Sequence, residues 1–164
     1  MNAKRSSYEH GHRPKCLVIV DDTPECDRAV YYASRWAARS HGTVVMLRVM
    51  EMTDSNQQWL GVADLMRAEA TETAETALDT ASTRAWAIAA ITPERLIREG
   101  VPTEQILQVI LDDADIAFLV LAAGTSIEGP GPILTGLAKT IGSFPVPITV
   151  VPGHLGDADL DALS

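Results

Sequence analysis

Four short aliphatic runs constrain this chain more than any other feature: "CLVIV" (16–20), "TVVMLRVME" (43–51), "IAFLVLAAG" (116–124) and "PITVV" (147–151). A strand that reads as a near-continuous apolar run is covered on both faces, as in a parallel sheet. The first run ends in Asp21-Asp22-Thr23-Pro24-Glu25, where Asp22 or Thr23 can cap a helix and Asp22 with Glu25 has capping-box spacing. Ala29, Ala33, Trp36 and Ala37 then repeat at helical intervals, and the stripe fades at Ser40 before Gly42 stops the helix. Strand, helix and strand within 16–51 make a βαβ unit with a right-handed crossover.

The same alternation continues. A polar helix is predicted over roughly 60–87, with Met66, Ala70, Ala74, Ala77, Leu78, Ala81 and Ala85 on its apolar face. Glu69, Glu72, Glu75 and Asp79 form a solvated face. "PERLIREG" holds a weakly patterned strand suited to a sheet edge. A helix over 103–114 with Thr103 as cap, the strand at 116–124, a helix over 132–143 and the strand at 147–151 complete the chain. The pattern predicts an α/β fold: a doubly wound, five-stranded parallel sheet with helices on both faces. Trp36, Trp59 and Trp86 read as packing residues.

Composition narrows the function classes. A formal charge of −9 is opposite to the basic footprint that a phosphate backbone requires, so no nucleic acid partner is expected. No apolar run is long enough to span a membrane, and "MNAKRSSYEHGHRPK" has no apolar stretch of signal-peptide type, so a cytoplasmic protein is expected. Cys16 and Cys26 make no disulfide framework, Cys26 reads as an inert small hydrophobe, and His10-x-His12 lacks a third metal ligand. The division expected is a basic extension at 1–14, a domain at 15–153 and an acidic tail at 154–164. Both ends read as solvated, although Leu160 and Leu163 could dock the tail as a short amphipathic turn.

Function turns on "AAGTSIEGPGP" (122–132). In a doubly wound sheet, ligands bind beyond the carboxyl ends of the strands where strand order reverses. If the first and fourth strands are neighbours across that reversal, the loop "DDTPE" after the first meets "GTSIEGPGP" after the fourth there. Gly129 and Gly131 permit positive φ or close backbone approach, and a helix N-terminus follows. Against a phosphate stand Pro130 and Pro132, which remove two amides, and the acid Glu128. Lys139 is a helical turn or more away. The loop is therefore a nucleotide cradle, a structural turn without a ligand, or a site for some other small anion. Asp21 has its own structural alternative, as a carboxylate accepting amides of the neighbouring loop.

Residues 15–153 resemble the universal stress protein family. The aliphatic first strand ending in Asp, the alanine-rich helix and the Val-rich second strand match its opening, and "IAFLVLAAG" through "FPVPITVVPG" matches its closing half. The resemblance implies strand order 3-2-1-4-5, a homodimer, and an adenine nucleotide, ATP or AMP with Mg²⁺, whose base faces Asp21 and the Val49 backbone. ATP-binding members carry G-x2-G-x9-G-(S/T) after the fourth strand. Gly124 matches the first glycine, but Ile127 stands at the second and Leu134-Thr135 at the last pair, with nine residues between Gly124 and Leu134 where the motif has twelve. The candidate nucleotide residues are thus Asp21, Asp22, Val49, Gly124, Thr125, Ser126, Gly129, Gly131 and Thr135, with phosphates over Gly131 to Thr135. Asp21-Asp22 is also similar to the Mg²⁺-holding pair of response-regulator receivers, but the phospho-acceptor Asp and the later Lys are missing.

No nucleophile, base and orienting group can be assembled from these residues. The expectation is a weakly nucleotide-binding stress-response module, with at most slow ATP hydrolysis. The alternative is a ligand-independent interaction protein of the same fold with an unknown protein partner. In either case Ile148, Thr149, Val150 and Val151 of the edge strand are expected to pair two copies.

Overall fold

In the computed structural model, which describes residues 4–51 and 60–164, the aliphatic runs become β1 (Lys15–Ile19), β2 (Thr43–Met50), β4 (Ile116–Ala123) and β5 (Ile148–Pro152). The weakly patterned segment becomes β3 (Glu94–Glu99). All pairings are parallel, as the sequence pattern predicts, and the order is β3-β2-β1-β4-β5, as the family resemblance implies. Alternation along the strands sends Cys16, Val18, Val44, Met46 and Val120 to one face. There they meet α1 (Cys26–Ser40) and α2 (Leu60–Ala89). Leu17, Ile19, Val45, Leu47 and Leu119 point the other way, onto Ile106, Val109 and Ile110 of α3 (Pro102–Asp112) and Leu137 of α4 (Pro132–Leu137). Two apolar layers thus clamp one sheet, and burial of these aliphatics is the main stabilising term.

Several local expectations are corrected. No side chain caps α1: its N-cap position is Glu25, because Asp22 is drawn away to Arg48. Thr103 does not cap α3 either; Val101 precedes the helix and Pro102 takes its first turn, where a missing amide costs nothing. The helix expected to 143 ends at Leu137, leaving a single 3₁₀ turn at Ile141–Ser143. Gly136 and Gly142 weaken that stretch by about 1 kcal/mol each relative to alanine. Ala74, Leu78, Ala81 and Ala85 of α2 are buried, whereas Met66 is exposed because the first turns of α2 meet little of the body. Trp36 packs edge-on against Phe118, Trp86 faces solvent, and Trp59 lies outside the described residues.

The two ends are not solvated extensions. The Arg5 guanidinium donates to the carbonyls of Ile110, Asp113 and Ile116, supplying donors to the C-terminal end of α3, and Ser7 is buried. The acidic tail forms α5 (Asp157–Leu163), which lies along α1 with Leu160 fully buried in the core and Leu163 left exposed. Around this contact Tyr31 donates to Asp161, Arg35 pairs with Asp161, and Arg28 reaches both Asp157 and the Leu155 carbonyl. The guanidiniums of Arg28, Arg35 and Arg84 stand 5.5, 5.7 and 5.5 Å from the centre of the Tyr31 ring.

Candidate functional site

The carboxyl ends of β1 and β4 diverge at the reversal of strand order, and the crevice beyond them has two chambers. The first, of about 620 Å³, runs from Ala70 and Thr73 of α2 across the ends of β1 and β2 to Pro102 of α3 and Ile133 of α4. Asp21, Asp22 and Val49 all line it. The second, of about 810 Å³, is lined by Gly124, Thr125, Ser126, Gly129, Gly131 and Thr135, with Glu25, Glu128 and Gly153. Pro132 and Gly136 belong to both walls, and a pinch of about 20 Å³ under Asp21, Glu25 and Gly131 lies where they meet. The predicted residues are thus brought to one rim but sorted into two groups.

In the first chamber Asp21 acts locally: one of its oxygens accepts the Thr23 amide at 3.0 Å and the Thr23 hydroxyl at 2.5 Å. That is the structural role the sequence left open for it, and it holds the loop after β1 in place. Asp22 instead forms a two-pronged pair with Arg48, both contacts at 2.9 Å. The guanidinium, charge-assisted and planar, holds the Asp22 carboxyl below its ordinary value. Arg48 also donates to the Val20 carbonyl at 3.3 Å. Among the described residues lining the two chambers it is the sole lysine or arginine.

Sequence reasoning passed over Arg48, although a lone charge within "TVVMLRVM" was the available signal. It also passed over Gly153, and it weighed Glu25 only as a helix cap. The Glu25 carboxylate faces the glycine loop: a Cβ on Gly124 would come 3.0 Å from its oxygen, and one on Gly131 3.8 Å. Burial pushes the thiol of nearby Cys26 up to about 11, in keeping with its reading as an inert small hydrophobe, and the thiol contacts the Ile19 carbonyl at 3.5 Å.

The loop itself is turned inward. The Gly124 amide donates to Pro130, Gly129 to Ser126, and Thr135 to Gly131. The Ser126 hydroxyl accepts from the Glu128 amide and the Thr135 hydroxyl donates to the Gly131 carbonyl. Gly129 and Gly131 do adopt positive φ, +121° and +117°, as the sequence allowed. The only charged side chains on this chamber's described lining are Glu25 and Glu128, which repel a polyphosphate. An adenosine-sized body fits the first chamber by volume and lining; a phosphate chain does not fit the second as its groups now stand. No cluster of three or more His, Cys, Asp or Glu suited to a metal ion occurs among the described residues, and none of their helices is long and apolar enough to cross a membrane.

Comparison with known proteins agrees with this architecture. The model of the universal stress protein family matches residues 12–152. Among solved structures, the universal stress protein UspA from Lactobacillus plantarum is 19% identical, with a TM-score of 0.69 over 92% of this chain and 99% of that one. A universal stress protein in complex with cAMP is 19% identical, with a TM-score of 0.62 over 85% of this chain and 97% of its own. A family protein from Arabidopsis thaliana with AMP bound is 17% identical, with a TM-score of 0.58 over 85% and 91%. No protein with a curated description matches.

Proposed function

The chain belongs to the universal stress protein family, and on that premise we propose that it is a stress-response module whose crevice binds an adenine nucleotide of low phosphate content, weakly, in preference to Mg²⁺–ATP. The contrast between the two chambers carries the reading. The first offers about 620 Å³ with the apolar walls Ile19, Val49, Met50 and Ile133 beside the polar Asp21. The second sets Glu25 and Glu128 where further phosphates would extend. Relatives solved with cAMP and with AMP share the fold, which supports a monophosphate as the ligand class. The base then lies against Asp21 and the Val49 backbone. The module senses rather than catalyses, since the described lining of the glycine-loop chamber holds no lysine or arginine to clamp a phosphate.

Isothermal calorimetry tests this. Adenosine and AMP should bind at roughly −4 to −6 kcal/mol, millimolar to tens of micromolar. Mg²⁺–ATP should bind no tighter, and its hydrolysis should stay below about one turnover per second. ATP binding tighter than AMP would overturn the proposal.

We also propose a homodimer across β5. It is an edge strand, and Val150 is 41% exposed. Val151 is buried in the core, so the contact would use Ile148, Thr149 and Val150 with the strand's outer backbone. Sedimentation equilibrium should give twice 17.6 kDa, falling toward the monomer in Val150→Asp. A parent that sediments as a monomer removes the dimer.

A further inference from the structure

We infer that Arg48 is the anion-binding group of the crevice and that Asp22 is its displaceable internal counter-ion, so that a ligand's carboxylate or phosphate docks at the β1/β2 end and not on the glycine loop. The inference rests on the crevice being a ligand site, as proposed above, but not on the ligand being an adenine nucleotide.

Three observations converge. Arg48 is fixed: its side chain is 12% exposed and its guanidinium is tethered to the Val20 carbonyl. Its fork is presented toward the chamber and is filled by the carboxylate of Asp22, a loop residue that is 82% exposed. A planar guanidinium that grips one carboxylate through two parallel contacts grips another carboxylate or a phosphate equally well. A partner as exposed as Asp22 is held weakly, because surface pairs gain little over hydrated ions. Asp21 and Glu51 line the same chamber, yet a carboxylate ligand that replaces Asp22 adds no charge to the pocket, and a phosphate monoester adds only about one unit instead of two. The glycine loop offers the opposite conditions: its charged lining is two carboxylates, and the amides of Gly124 and Gly129 are spent on loop carbonyls. The ligand class is therefore a small organic anion whose apolar or aromatic body rests on Val49 and Ile133 while its charged end meets Arg48.

The experiment compares AMP with adenosine by calorimetry in the full-length protein and in Asp22→Ala, Arg48→Gln and Thr135→Val. Asp22→Ala should raise the AMP-to-adenosine affinity ratio about two- to fivefold, because the competing carboxylate is gone. Arg48→Gln should bring that ratio close to one. A ratio that survives Arg48→Gln but falls with Thr135→Val would place the charge on the glycine loop and overturn the inference. If adenosine itself fails to bind, the nucleotide reading fails separately. The subsite is then read by thermal shift with millimolar inorganic phosphate, which should stabilise Asp22→Ala but not Arg48→Gln. Equal shifts in both variants, or none in either, would overturn the assignment.

Discussion

The two chambers of the crevice share one rim of the sheet and are built by opposite means. At the β1/β2 end the walls are side chains, with one ion pair that can exchange partners while the backbone stays still. At the β4/α4 end closure is backbone on backbone. Loop amides bond loop carbonyls, Gly131 sits at φ +117° and ψ +162°, and Gly153 donates to the Ala123 carbonyl. An anion cradle needs amides that converge outward on a ligand, and here those of Gly124, Glu128 and Gly129 turn back onto the loop's own oxygens. A favourable place in the fold therefore does not confer ligand chemistry; the residues at that place do.

If closure at the β4/α4 end depends on tight backbone, glycines there should be far less replaceable than side chains at the other end. The largest effect is expected at Gly153, where a Cβ would run into the Ala123 carbonyl oxygen and approach the Glu25 Cβ to 3.1 Å. Gly153→Val should cost about 3 kcal/mol, the upper range for overpacking. Gly131→Ala makes only an ordinary contact, 3.8 Å from the Glu25 carboxylate, but must hold a conformation that essentially only glycine adopts, so about 2 kcal/mol is expected. Chemical denaturation measures both, and a Gly153→Val protein as stable as its parent would show that the loop floor gives way.

The smallest effect belongs to the Asp22–Arg48 pair, which should contribute under about 1 kcal/mol. Because Arg48 lowers the folded-state pKa of Asp22, that contribution is present above the unfolded value of about 4 and is lost as pH falls through the lower folded value. The stability difference between the parent and Asp22→Ala should thus be constant from neutrality to about pH 5 and shrink toward pH 2. A difference that grows on acidification would contradict the pairing.

The strands, the parallel sheet and its two covered faces were legible because aliphatic runs and turn residues are local signals that tertiary structure merely assembles. The strand order, and with it the meeting of the two loops, came from the family resemblance. The fates of Asp22, Thr23 and Glu25 were not legible. Asp22 and Thr23 have the chemistry to cap α1, but Asp22 pairs with Arg48, 26 positions later on the adjacent strand. The Thr23 hydroxyl donates to Asp21, and Glu25 takes the N-cap position with no side-chain cap. The loop's inward hydrogen bonds were equally hidden, since "GTSIEGPGP" specifies where the chain can bend but not which carbonyl its amides will find. The tail showed its signal in Leu160, but charge alone made it look solvated; the arginines that receive it are on α1 and α2.

Those arginines give the last segment a stability of its own. Residues 157–163 are held by one buried side chain and by ion pairs with exposed members, among them Arg35–Asp161 and Arg28–Asp157. At 1 M salt the screening length falls to about 3 Å, so α5 then rests mainly on Leu160 and the Tyr31–Asp161 hydrogen bond, while the sheet beneath is little affected. In hydrogen-exchange terms it is a separate opening unit of low free energy. Ionic strength, not temperature, selects it. The carboxy-terminal segment is accordingly where exchange and proteolysis begin in a concentrated salt solution, with the Tyr31 ring uncovered as it leaves.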